Sequence, residues 1–189
     1  MSDFFELLKT RRSIRNFKDQ KIPTELVKEI ISDSCLAPSS GNSQPWNFVI
    51  INNTDMIKRL SDESKKNILS YIEKNPDSSV KKYKESLEND AFNVFYNAPC
   101  LVIITGPRDL RSLSVDCSLF AAYFMLSASA RGLGTCWIGL GAGIGDPKTL
   151  SEIGIPQDHV IVAPIIVGYP VDIPKASERN APNILKVIE

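Results

Sequence analysis

The chain has one histidine, and no two of its four cysteines stand close enough in sequence to form a Cys-x-x-Cys clip. A zinc or iron–sulfur site therefore lacks its usual signature. A hydrolase triad would have to use His159, which follows Pro156-Gln157-Asp158 and reads as a surface loop. An excess of charge of either sign is also missing, since 22 Lys+Arg face 22 Asp+Glu. That balance argues against a nucleic-acid binder relying on large net positive charge. With 43% hydrophobic residues it also argues against a disordered chain. No run approaches the roughly 18 apolar residues that mark a transmembrane helix. The start, Met1-Ser2-Asp3-Phe4-Phe5-Glu6, has neither a basic n-region nor a cleavage pattern. The expectation is a cytoplasmic protein with neither a membrane nor a nucleic-acid partner.

What is present suits one domain. At 189 residues the chain can bury roughly 70% of its unfolded surface, enough for a core. Cys35, Cys100, Cys117 and Cys136 lie among apolar neighbours, which suits reduced, buried thiols. Asp3 and Glu6 read as a capping box opening a short helix with Phe4, Phe5, Leu7 and Leu8 on its apolar face. Leu26, Val27, Ile30, Ile31 and Cys35 recur at helical spacing after Pro23-Thr24, and Pro38 ends that helix. Strands are predicted at Phe48–Ile51, Leu101–Thr105, Thr135–Ile138 and Val160–Gly168, with Pro164 placing the last at a sheet edge or a bulge. Residues 115–130 form a helix apolar nearly all round, buried centrally or between subunits. Asp146-Pro147 starts a short helix that ends near Gly154. Helices and strands mix without strict alternation, which predicts an α+β fold.

Residues 55–90 stand apart, because 16 of these 36 positions are charged. They read as solvated helices with a mobile connection, or as a lid over a site. We take residues 1–189 as a single domain, with 55–90 a charged helical excursion and 170–189 a C-terminal arm.

Three segments are candidates for chemistry. In Arg11-Arg12-Ser13-Ile14-Arg15, an extended chain would turn residues 11, 13 and 15 to one side. Two guanidiniums and a hydroxyl then suit a phosphate; the alternative is a basic turn complementing a helix C-terminus. Pro38-Ser39-Ser40-Gly41-Asn42-Ser43-Gln44-Pro45-Trp46 frames donors and acceptors between prolines. It suits the edge of a planar heterocycle, or is a capped turn between helix and strand. In Gly134-Thr135-Cys136-Trp137-Ile138-Gly139-Leu140-Gly141, glycines let backbone approach a ligand closely and expose its N–H groups, although the run fits neither the dinucleotide fingerprint nor a P-loop. No cluster has metal-ligand spacing, so no metal site is expected.

Together these segments resemble the nitroreductase family of FMN-dependent oxidoreductases. The resemblance rests on Arg11–Arg15, Pro38–Trp46, Gly132-Leu133-Gly134-Thr135-Cys136-Trp137-Ile138-Gly139 and Val167-Gly168-Tyr169-Pro170, in family order across almost the whole chain. It implies a mixed central β-sheet flanked by helices, and a homodimer with FMN at the subunit interface. Arg11, Arg12, Ser13 and Arg15 would hold the phosphate and ribityl chain, with Arg179 closing on the phosphate and Lys175 a weaker candidate. Pro38, Ser39, Ser40, Asn42 and Gln44 would come from the partner chain and line the isoalloxazine ring. The backbone of Ile138 and Gly139 would lie near the flavin N5, and Asn67 is the nearest candidate for an asparagine meeting the flavin. One departure is Ser177-Glu178-Arg179, where family tails carry two basic residues spaced by one. No catalytic side chain is expected.

The implied activity passes hydride from NADH or NADPH through flavin N5 to nitroaromatics, quinones or similar planar acceptors, by ping-pong kinetics. The alternatives are another reductive reaction on the same scaffold (dehalogenation, enone reduction, flavin cleavage) and a non-catalytic FMN-binding or sensing protein.

Overall fold

The computed structural model describes residues 3–189. Helix α1, Phe4–Thr10, is capped by Asp3, whose carboxylate accepts the Phe5 N–H at 3.2 Å. Only that half of the expected capping box forms; the Glu6 carboxylate instead faces Lys9 at 4.0 Å. The apolar face of α1 exists but is not covered within this chain, with Phe4, Phe5 and Leu8 all more than half exposed. Helix α2, Thr24–Ser34, buries Val27 and Ile30 as the periodicity requires. Strand β1, Asn47–Ile51, follows the polar loop.

Helix α3, Thr54–Lys74, begins where the Asn53 side chain accepts the Met56 N–H at 2.8 Å. Although rich in charge, α3 buries Ile57, Leu60, Ser61, Ser64, Lys65 and Ile72, so it is a layer of the domain as well as a solvated surface. Its buried Lys65 ammonium is satisfied by the carbonyls of Asn89 and Phe92, at 2.7 and 3.1 Å. A 3₁₀ turn at Ser79–Tyr83 and the short α4, Lys84–Glu88, follow.

Strand β2, Cys100–Pro107, leads into α5, Leu113–Ala130. Although no uninterrupted apolar run predicts it, α5 is long and apolar enough to cross a membrane. One face packs into the domain, with Cys117, Phe120, Ala121, Phe124 and Ala128 fully buried against the sheet and α2, while Val115, Leu119 and Tyr123 on the other face stay exposed. Phe120 packs against Trp46 and Phe48, with ring centroids 5.3 and 4.6 Å apart. Truncating such a ring costs roughly 3–5 kcal/mol. Gly132, at φ +75°, lets α5 end in a Schellman turn: Leu133 N–H bonds Ala128 O and Gly132 N–H bonds Ser129 O.

Strand β3, Gly134–Trp137, opens into the 3₁₀ turn Gly139–Gly143. Helix α6, Pro147–Glu152, is capped by Asp146, and β4, His159–Gly168, closes the sheet. His159 therefore opens a strand opposite Pro107 and is only partly exposed, which corrects its reading as a surface loop.

The four strands run in the order β1-β2-β4-β3, and each neighbouring pair is antiparallel. The parallel element is an isolated bridge between Ser13 and Thr135, where the N-terminal segment runs along the outside of β3. Alternation along the strands separates two apolar cores. Cys100, Val102 and Ile104 face α2 and α5, whereas Leu101 and Ile103 face α3 and Phe95. The fold is thus α+β with helices on both faces of the sheet.

Strand β4 is interior, so Pro164 does not mark an edge. The bulge reading is the one realised: Ile104 pairs with Ala163 but Thr105 with Ile161, leaving Val162 extra. Pro164 is tolerated for a second reason. Its carbonyl accepts the Ile138 N–H at 2.8 Å, so its missing donor points to the side where β3 has already ended.

Candidate functional site

The segment after α1 is extended beside β3, tied by the Ile14 N–H to Thr135 O at 2.9 Å. Ile14 is buried against Gly134, and Ser13 and Arg15 turn the other way. Arg15, Ser13 and Arg11 all act on Cys136: burial pushes its thiol pKa up, while the Arg15 charge, the Ser13 hydrogen bond and the Arg11 charge oppose this. Ser13 and Arg15 thus lie on the Cys136 side, whereas Arg11 lines a recess with Arg12 and Ile14.

Beyond the end of β3 lies an open cleft of about 620 Å³. Its floor is Trp137, Ile138, Gly139, Leu140 and Gly143, its far wall is Asn67, Ile68 and Tyr71 of α3, and Val80 and Tyr83 overhang it. Arg15 and Tyr96 form the third side, the guanidinium 5.6 Å from the ring centroid. That separation suits a cation–π contact. The lining is mostly apolar and aromatic, with a small number of placed polar groups, as in sites for planar small molecules.

Helix α3 grips the floor of this cleft. Ser64 donates its hydroxyl to Leu140 O, and Asn67 donates to Gly143 O at 2.9 Å. One Glu63 oxygen accepts both the Gly145 and Asp146 N–H groups at 2.9 Å. Gly143 is needed for this contact, because a Cβ there would stand 2.6 Å from Ser64 Oγ and 2.9 Å from Ile68 Cγ1. A Cβ at Gly139 would meet nothing within 4 Å, so this position opens to the cleft. As the first residue of a helical turn, Gly139 has an N–H with no partner inside that turn.

Arg11 and Arg12 line a separate small recess of about 60 Å³ with Thr10, Ser129 and Gly132. Arg12 Nη1 donates to Arg11 O at 2.6 Å, while its Nε is buried without a hydrogen-bond partner among the described residues. The loop 38–44 does not line the cleft of its own chain. It sits over the start of α5, where the Asp116 carboxylate accepts the Ser40 N–H at 2.9 Å. Arg179 and Lys175 lie in an exposed tail without regular secondary structure.

Tyr71, Tyr83, Tyr96 and Asp116 are features the sequence reading did not select. The i, i+3, i+7 spacing of Ser64, Asn67 and Tyr71 could have revealed one face of α3. The other positions depend on distant segments. Among the described residues no group of three or more metal-ligating side chains assembles.

A family model described as the Nitroreductase family matches residues 8–169. An Archaeoglobus fulgidus protein whose name couples NADH dehydrogenase with NAD(P)H nitroreductase is 29% identical over 181 residues, covering 91% of this chain and 88% of that one. Iodotyrosine deiodinase 1 of Mus musculus is 25% identical over 185 residues, covering 89% of this chain and 62% of that one. A crystal structure of a Bacteroides fragilis nitroreductase with bound FMN superposes with a TM-score of 0.81 at 24% identity, covering 100% of this chain and 99% of that one.

Proposed function

The chain belongs to the nitroreductase family, and on that footing we propose that it is an FMN-dependent oxidoreductase drawing on NADH or NADPH. The observation that carries this is the cleft at the end of β3. There an aromatic, largely apolar slit meets one guanidinium, an unpaired amide and a polar helix face. The donor set fits a flavin, whose ring is planar and rimmed with acceptors and whose tail is anionic.

Arg11, Arg12, Ser13 and Arg15 would hold the phosphate and ribityl chain, with Arg179 brought in from the tail. Ile138 and Gly139 would present backbone to the ring, and Asn67 would meet it from α3. Ser39, Ser40, Asn42 and Gln44, framed by Pro38, would line the ring from the partner chain of a homodimer. The chemistry FMN supplies when bound is reversible two-electron transfer between a reduced nicotinamide and an acceptor. The chain's own part is positional. Arg15 supplies a fixed positive charge at the cleft beside Tyr96. Tyr71, Tyr83 and Tyr96 supply ring faces and phenol donors for a planar nitroaromatic or quinone, and Val80 and Tyr83 shield it from water.

The exposed apolar residues of α1 and α5, Phe4, Phe5, Leu8, Val115 and Leu119 among them, support the homodimer. A second reading, reductive cleavage of a carbon–halogen bond, is supported by the similarity to the mouse deiodinase. Among the described residues no carboxylate lines the cleft to pair with an amino acid's ammonium group, which favours the nitroaromatic or quinone reading.

The test is an anaerobic titration of the FMN-reconstituted protein. Bleaching of the flavin by NADH or NADPH, recovery on adding a nitroaromatic, and parallel double-reciprocal plots are expected. A flavin that stays oxidised with both nucleotides would indicate a binding or sensing protein. Turnover of a halotyrosine with no nitro or quinone reduction would favour the deiodinase-like reading.

A further inference from the structure

We propose that Asp116 is a positioning residue for the flavin, acting through the loop 39–44. The proposal rests on the reading that this loop lines the isoalloxazine ring. The loop is held in an uncommon shape: Gly41, Asn42 and Gln44 all have positive φ, at +57°, +56° and +47°. Non-glycine residues in that region cost energy and persist only when their surroundings over-determine them. Most of the loop's hydrogen bonds are internal. Gln44 N–H bonds Ser39 Oγ at 3.0 Å, Gln44 Nε2 reaches Asn42 Oδ1 at 3.1 Å, and Ser43 N–H bonds Ser40 O at 3.0 Å. Among the described residues, the bond from Ser40 N–H to Asp116 Oδ1 is the one side-chain bond that leaves the segment.

The energetics of that bond point to position rather than stability. Asp116 is 1% exposed, and its second oxygen, Oδ2, is buried without a hydrogen-bond partner among the described residues. A buried carboxylate with an unpaired oxygen costs free energy, and an apolar side chain of similar volume is often neutral or stabilising in its place. Ser40, by contrast, is exposed, so water could satisfy its N–H without Asp116. The chain thus carries a buried acid, with one oxygen left unpaired, that fixes the loop's first turn to α5. Sites that violate the rules of stable packing in this way are where function is expected.

The experiment compares Asp116→Leu with Asp116→Asn. Leucine shares the branched shape, with bulkier ends, but cannot accept the Ser40 N–H; asparagine still can. Asp116→Leu is expected to keep the melting temperature at or above the parent's, to speed exchange of the Ser40 amide, and to weaken FMN binding by at least about tenfold. Asp116→Asn should stay within about threefold of the parent in FMN affinity, on the same hydrogen-bond argument. Ser40→Pro removes the donor instead and fits the extended Ser39 before it; it should reproduce the loss. The proposal is overturned if Asp116→Leu binds FMN like the parent. It is also overturned if both Asp116 variants lose stability and FMN together. A parent protein that never binds FMN overturns the functional reading itself, and this assignment with it.

Discussion

The Asn67 side chain donates to the Gly143 carbonyl at 2.9 Å, joining helix α3 to the glycine-rich turn across the cleft. One amide thereby couples the wall of the site to its floor, while its carbonyl oxygen and second N–H stay free to meet a ligand. Replacing Asn67 with Ala should cost about 0.5–1.5 kcal/mol in chemical denaturation, the usual worth of one hydrogen bond. FMN affinity should fall with it, by about tenfold if a second bond to the cofactor is lost. Stability lost with FMN binding unchanged would remove Asn67 from the cofactor site.

Two glycines four residues apart should behave differently. Gly143→Ala pushes a methyl into Ser64 Oγ and Ile68, which should destabilise the fold by roughly 1–3 kcal/mol. Gly139→Ala meets nothing in the protein, so the melting temperature should hardly move. Its methyl projects into open space at the cleft, however, and FMN titration should show weakened binding. The reverse pattern would mean that the cleft is not where the ring lies.

Arg15→Ala and Arg11→Ala should each weaken FMN retention by roughly 1.5–3 kcal/mol, the scale of a hydrogen bond to a charged group. Equilibrium dialysis at low and moderate salt is the measurement. The losses should shrink as salt rises if the arginines meet the phosphate through an exposed path. Unchanged retention in both variants would contradict the assignment.

The thiols carry a pH signature. Burial pushes Cys100 from its ordinary 9.0 to about 12, and burial together with the Asp116 charge pushes Cys117 to about 11. Below pH 9.0 both thiols are protonated in the folded and unfolded chains, so their contribution to stability is complete. As pH rises from there towards about 12 the unfolded chain ionises first, and that contribution is lost. The unfolding free energy should fall more steeply across this window in the parent than in Cys100→Ala. At neutral pH a thiol reagent should modify the half-buried Cys35 first and reach the other three only on unfolding. Early modification of Cys100 in the native protein would contradict its burial.

Val115 is 60% exposed on a helix whose opposite face is fully buried. Val115→Glu or Leu119→Glu should convert a dimer to a monomer in analytical ultracentrifugation and lower FMN content in parallel. A monomeric parent that retains FMN would rule out a site shared between chains.

Much of this architecture was legible without coordinates, because its signals are local. Asp146-Pro147 begins α6 through a cap whose parts are adjacent in sequence, and alternation within β2 assigns each residue to a face wherever the strand lies. Ser13 and Arg15 share a side opposite the buried Ile14 because an extended chain alternates, whatever it is beside. Pro164 shows the limit. Sequence states that its donor is missing, but strand order decides that this matters little, since β3 has ended where the donor would point.

The charged helix shows the same division. Sixteen charges in residues 55–90 spell a polar surface, and α3 does carry one. Its buried stripe, its grip on Gly143 and its tyrosine at the cleft appear only once the glycine turn, some 76 residues away, folds against it. The sequence by itself determined the α+β class and the approximate place of most helices and strands, because helix periodicity, strand alternation and capping act within a few residues. Tertiary structure alone decided that Arg15 faces Tyr96 across a cleft, that β4 lies inside the sheet, and that a buried aspartate holds the 39–44 loop. Those relations depend on long-range packing, which no local pattern encodes.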